Sequence, residues 1–210
     1  KIAEHCRKRS IVFAASAFDF NAADKLSVIG SEFIKIPSCA VTNLELVAHI
    51  GEMGLPVVMS TGMSDLDMVT SAMGVLALAG VTELGLLACT SKYPAPIDSL
   101  NLERIKTLKE LFPRCHIGYS GHEVGLWTTL CAVAMGAEII ERHLTLDRSW
   151  PGSDHAASIE PQGFKKLVKE IRNFELARGT GALRILDCER DDIKRLRMSP
   201  FNGAIQVDAA

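Results

Sequence analysis

Six short runs rich in apolar and β-branched residues recur along the chain, at Ile11–Ala15, Phe33–Ile36, Pro56–Met59, Leu84–Cys89, His116–Tyr119 and Ala137–Glu141. Each is followed by a stretch with helical patterning. The runs are continuous rather than alternating, which predicts strands buried on both faces of a parallel sheet. Between them lie amphipathic segments such as Asn101–Phe112, where Leu102, Ile105, Leu108, Leu111 and Phe112 share one helical face. Asn43 is placed to cap a helix starting near Leu44, and Ser64 or Asp65 to cap the one after Ser60-Thr61-Gly62-Met63. Strands alternating with helices, with no hairpin signals between them, predict a parallel α/β fold.

The runs start 21 to 32 residues apart, the length of a βα unit, so the predicted closure is a TIM (β/α)8-type barrel of which about six units are present. The sequence opens inside a helix-like segment, Lys1–Lys8, and the first two strands of such a barrel are expected to be missing from it. Six strands alone would leave two open edges. The alternative is an open, doubly wound sheet of six strands. The βα pattern fills residues 1–180. Residues 181–210 form a charged, weakly periodic segment (Glu189-Arg190-Asp191-Asp192, then Lys194–Arg197) expected to act as a linker or docking tail.

Composition narrows the class. The chain has 210 residues, is 48% hydrophobic and 23% charged, and carries a formal net charge of −2, an ordinary globular profile with no pull toward nucleic acid or an anionic membrane. No run reaches the roughly 18 apolar residues of a membrane span. The six cysteines are scattered without a CxxC pair, which predicts reduced thiols and a cytoplasmic protein.

Chemistry in parallel α/β folds collects at the carboxyl ends of the strands, and here those ends are polar. They supply Ser16, then Lys35 and Ser38, then Ser60, then Ser91, then Ser120 and His122, and finally Glu141, Arg142 and His143. Taken singly, such a serine is a helix cap, the lysine an outward-pointing edge residue, and a loop histidine a surface group. Convergence on one rim changes their meaning. Hydroxyls around a lysine suit a phosphate, and two neutral imidazoles on adjacent strands suit a divalent metal. Asp154, in the loop after the last run, is the nearest carboxylate to complete such a site, although it also reads as a turn aspartate.

The stretch GYSGHE, followed by GAEIIERHLTLDRSWPGSDHAASIEP, resembles the sialic acid synthase family, as do FIKIPS, VVMSTGM and ACTSKYPAP upstream and in the same order. The resemblance runs from about Ile11 to Glu189. It implies an eight-stranded barrel, and an enzyme that condenses phosphoenolpyruvate with N-acetylmannosamine, its 6-phosphate or a related N-acylated hexosamine. The product would be sialic acid or another nonulosonic acid, with release of phosphate. Carried over by position, the resemblance makes His122 and His143 the metal ligands, the metal being manganese or magnesium. Asp154 falls beside metal and sugar, and these three form the catalytic set. The phosphoenolpyruvate-binding set falls on Lys35, Ser38, Ser60, Ser91, Ser120 and Ser16, with asparagine in some members at the Ser91 position and threonine in many at that of Ser16. A homodimer is the expected assembly.

The match is not complete. The family's first two strands, with their glutamate and further lysine, are absent, as is its carboxyl-terminal antifreeze-like domain. Ala40 stands where members carry an acidic residue, which points to an altered sugar preference. Two other readings remain: a synthase of a shorter keto-deoxy acid, against which the SGHE and ERHLTL pair argues, and a catalytically silent barrel.

Overall fold

Strand alternation places Ile34 and Ile36 on one side of a strand and Lys35 on the other, and this two-sidedness organises the molecule. The computed structural model describes residues 1–198. They divide into a compact unit, Lys1–Phe174, and a second unit beginning at Glu175.

In the first unit, α1 (Ile2–Lys8) leads into β1 (Ala15–Ser16), α2 (Phe20–Ile29), β2 (Ile34–Ile36), α3 (Leu44–Glu52), β3 (Val57–Ser60) and α4 (Leu66–Leu78). Then follow β4 (Leu84–Cys89), α5 (Arg104–Leu111), β5 (His116–Gly121), α6 (Trp127–Ala134), β6 (Ile139–Arg142) and the start of α7 (Pro161–Arg178). The strands make one six-stranded parallel sheet in strict chain order, β1 to β6. Ala15 pairs with Ile34, Ile34 with Val57, Val57 with Leu84, Leu86 with Ile117 and Tyr119 with Ile140. A doubly wound sheet reverses its order at a switch point. This one never does, so the doubly wound alternative is excluded and the strands form the wall of a barrel-type α/β fold.

The face toward the helices is the core: Ile34, Ile36, Met59, Leu86 and Ile117 are fully buried against Leu46, Ile50, Leu76 and Ile105. Burying each such side chain contributes about 1.5–3 kcal/mol before chain entropy is charged. The opposite face is tight at its base. A Cβ on Gly118 would meet the Ile139 backbone oxygen, the Leu87 side chain and Ile139 Cβ, so only glycine lets β5 lie this close to β6. Helix starts follow the expected chemistry. The Asn43 carboxamide accepts from Leu46 N at 3.2 Å, and of the two residues proposed for α4, Asp65 is the cap, accepting from Met68 N at 2.9 Å.

Three expectations are corrected. The run Ile11–Ala15 is not a strand throughout. Ile11 and Val12 are exposed, and pairing begins at Ala15, because β1 has a neighbour on one side only, β2. Burial on both faces holds for β2 to β5, whereas β6, which also pairs on one side only, is half-buried along its length. Helix α5 starts at Arg104 rather than Asn101, because Asn101 has φ +48°, outside the helical region.

In the second unit, α7 ends at Arg178, residues 179–186 are irregular, and one 3-10 turn leads into α8 (Arg190–Leu196). Its pairs, Arg190 with Asp187 at 2.9 Å and Arg195 with Asp192 at 2.5 Å, are local and exposed. The end of the 181–210 segment, from Ser199, lies outside the described residues.

Candidate active site

The inner face of the sheet opens, at the carboxyl ends of the strands, into a cavity of about 390 Å³. Its wall includes all the sequence-derived candidates: Lys35, Ser16, Ser38, Ser60, Ser91 and Ser120 together with His122, His143 and Asp154. Register brings them there. Ser16 pairs with Lys35, and Ser120 with Glu141, each on the face away from the helices.

Lys35 Nζ donates to Ser60 Oγ at 2.7 Å and lies 3.1 Å from Glu141 Oε2. Ser120 Oγ donates to the other oxygen, Glu141 Oε1, at 2.7 Å. Burial pushes the Glu141 carboxyl up, but the Lys35 charge and the hydrogen bonds from Ser120 and Lys35 outweigh it and hold the group below its ordinary value. Across the floor, the backbone N–H of Gly62 donates to Ser38 Oγ at 3.0 Å. A Cβ on Gly62 would collide with the hydroxyls of Ser91 and Ser38 and come within 3.1 Å of Cys89 Sγ, so the hydroxyls converge over a bare backbone. One ammonium and a ring of short donors can take a phosphate or a carboxylate.

The two imidazoles stand on the adjacent strand ends with ring centroids 5.0 Å apart. His122 Nδ1 is 2.9 Å from the Thr90 carbonyl oxygen, an acceptor only, so Nδ1 carries a proton and the neutral ring has its lone pair on Nε2. Thr90 is itself fixed. Arg104 donates to its hydroxyl and to the Cys89 carbonyl, both at 2.9 Å. His143 is held below its ordinary value by burial and by the neighbouring His122, which favours its neutral form. Its Nδ1 lies 3.5 Å from Asp154 Oδ2. The Tyr93 ring covers both, with centroids 4.2 Å from His122 and 5.6 Å from His143. Among the described residues no group of three or more His, Cys, Asp or Glu is gathered to hold a metal ion. The donor chemistry of two imidazoles and a carboxylate still fits a divalent metal in an open site, whose other positions fall to water or substrate.

Behind the histidines lies a buried ion pair. Arg142 Nη1 donates to Glu123 Oε1 at 3.0 Å, and the two side chains are 1% and 0% exposed. Tyr119 Oη donates to Glu123 Oε2 at 2.8 Å and Thr128 Oγ1 to Glu123 Oε1 at 2.5 Å, while Arg142 Nη2 donates to the Glu123 backbone oxygen at 2.7 Å.

Glu141, Cys89 and Tyr93, to which the sequence pattern gives no role, also line the cavity. Glu141 was legible: it sits on the last strand two residues before His143, which directly follows that strand, hence on the same face. Cys89 is a buried thiol at the end of β4, and its sulfur lies 3.6 Å from Ser38 Oγ. Ala40, where an acidic residue was expected, is 6% exposed and belongs to the core, while its neighbour Cys39 faces the cavity. All six cysteines are free thiols.

Comparison with known proteins agrees with this architecture. The model of the NeuB family matches residues 1–182. The chain is 38% identical over 197 residues to the N,N'-diacetyllegionaminic acid synthase of Campylobacter jejuni, covering 93% of this chain and 59% of that protein. It is 35% identical over 189 residues to the human N-acetylneuraminate-9-phosphate synthase, covering 90% and 52% respectively. The chain thus spans little more than half the length of these relatives. Among solved structures, the N-acetylneuraminic acid synthetase of Leptospira borgpetersenii, in complex with citrate, superposes with a TM-score of 0.83 at 36% identity, covering 92% of this chain and 67% of that one. With the family model matched over most of its length and with these relatives alike in sequence and in fold, the chain belongs to the NeuB family.

Proposed function

We propose that the protein is a transferase that condenses phosphoenolpyruvate with N-acetylmannosamine, its 6-phosphate or a related N-acylated hexosamine, giving a nonulosonic acid and phosphate. The observation that carries this reading is the single cavity in which Lys35 and its hydroxyls face His122, His143 and Asp154. Lys35, with Ser38, Ser60, Ser91, Ser120 and Ser16 around it, binds the phosphate and carboxylate of phosphoenolpyruvate. Glu141 keeps the ammonium and the Ser120 hydroxyl aimed into the cavity. His122 and His143 would hold a divalent metal, manganese or magnesium, which when bound supplies Lewis-acid polarisation of the sugar aldehyde.

The enol carbon of phosphoenolpyruvate forms the new bond to the aldehyde carbon. Water adds at carbon two, and the tetrahedral centre expels phosphate by breaking its carbon–oxygen bond. Asp154, exposed at the rim beside His143, orients a sugar hydroxyl and is placed to hold its proton. Both substrates are small and polar, and among the described residues no helix is long and apolar enough to cross a membrane. The six free thiols suit a reducing compartment, and we place the enzyme in the cytoplasm.

The test is phosphate release from phosphoenolpyruvate, in the presence of manganese, with and without N-acetylmannosamine or its 6-phosphate. Sugar-dependent release that a chelator removes and manganese restores is the expected result. Release independent of any sugar, or none at all, overturns the proposal.

A further inference from the structure

The condensation makes no direct use of Glu123 and Arg142, whose side chains are almost fully buried on the helix side of the sheet. Their sequence positions give them a role. Glu123 directly follows His122, and Arg142 directly precedes His143. The Arg142 guanidinium grips Glu123 twice, at the carboxylate through Nη1 (3.0 Å) and at the backbone oxygen through Nη2 (2.7 Å). The same Nη1 reaches Thr129 Oγ1 at 2.7 Å and the Gly125 oxygen at 3.1 Å, and so ties the β6 end to the turn into α6 and to α6 itself. Tyr119 and Thr128 saturate the carboxylate from β5 and α6. Gly121 makes room: a Cβ there would come within 3.0 Å of Tyr119, Glu123 and Arg142.

A buried ion pair is a poor source of net stability, because desolvation offsets most of its attraction, and apolar residues of similar shape serve as well. What a bidentate fork supplies is geometry. We infer that the Glu123–Arg142 pair is a positioning clamp: by locking the two strand ends on the outer face, it sets the spacing of His122 and His143 on the inner face and thereby their affinity for a divalent metal. This rests on the metal reading proposed above. Residues that orient metal ligands from behind are worth ten- to hundred-fold in affinity.

The test is Mn2+ binding to the whole chain, followed by the electron paramagnetic resonance signal of free Mn2+, alongside thermal melting in chelator. The double variant Glu123→Leu/Arg142→Met removes both charges and keeps the volume. It is expected to melt somewhat below the wild type, because the buried hydroxyls of Tyr119 and Thr128 lose their acceptor, and, well below that melting point, to bind Mn2+ at least ten-fold more weakly. Arg142→Lys keeps the charge but loses the fork. It is expected to weaken Mn2+ binding as well, and supplies the answer if the double variant does not fold. Wild-type affinity in the folded double variant, or in Arg142→Lys, overturns the clamp and leaves the metal reading standing. A wild-type chain that binds no Mn2+ overturns both.

Discussion

Lys35 Nζ and Glu141 Oε2 are 3.1 Å apart although they come from β2 and β6, four strands away from each other in the sheet. In a flat sheet those strands would be separated by about 19 Å, at roughly 4.8 Å per strand, beyond the combined reach of the two side chains. Their contact measures the curvature of the wall. It also means that bending of the sheet and assembly of the site are one event, since the ammonium meets its carboxylate only when the strands curl.

Lys35→Met removes the ammonium among the cavity hydroxyls. Losing a charge-assisted contact costs roughly 1.5–3 kcal/mol, so phosphoenolpyruvate binding is expected to weaken by about 10- to 100-fold. Calorimetric titration with phosphoenolpyruvate checks this, and unchanged binding would remove Lys35 from the anion site.

Glu141 links stability to acid. Its carboxyl is held below the ordinary value of 4.5 in the folded chain. A depressed carboxyl contributes stability that is fully present above that ordinary value and is lost as pH falls through the folded value. Melting between pH 7 and pH 3 is therefore expected to fall more steeply for the wild type than for Glu141→Gln below about pH 4.5. Parallel curves would show that Lys35 and Ser120 do not favour the charged form.

Glu123→Ala leaves Arg142 charged, buried and without its counter-ion. Breaking a buried pair from one side costs about 3–5 kcal/mol. Urea unfolding should show a loss of that size. A loss under 1 kcal/mol would mean that water or another group satisfies the guanidinium.

Gly62→Ala is expected to spare the fold and damage the site, because the atoms its Cβ meets are side-chain ends, the hydroxyls of Ser91 and Ser38 and the sulfur of Cys89. Phosphate release should fall at least ten-fold, while the melting temperature moves by only a few degrees, as expected for about 1 kcal/mol or less. The reverse pattern would make Gly62 a folding residue rather than part of an anion cradle.

The strands were legible because their buried runs are continuous, and the rim because polar residues end every run. What could not be read was which partner a residue has. Ile11 and Val12 look like strand residues, yet pairing on β1 starts only at Ala15. Glu123 and Arg142 look like surface charges beside the histidines, and only the register of β5 against β6 turns them inward to each other. Asn101 opens the amphipathic stretch but sits in a left-handed conformation that no periodicity reveals. The likeness of GYSGHE and ERHLTL to known synthases located the histidines. It did not indicate that Tyr93 would lie across both rings, or that Arg104 would brace the carbonyl-bearing segment behind His122.

The two faces of the wall also divide the evolutionary labour. Ile34, Ile36, Met59 and Tyr119 face the helices and carry the packing, while Lys35, Ser60 and Ser120, one residue away in sequence, face the cavity and add little to it. Phe18, Cys39 and Met63 complete the cavity rim as exposed residues. Rim side chains can therefore be exchanged at little cost to the hydrophobic scaffold, so what the cavity accepts can change while the fold that hosts it stays the same.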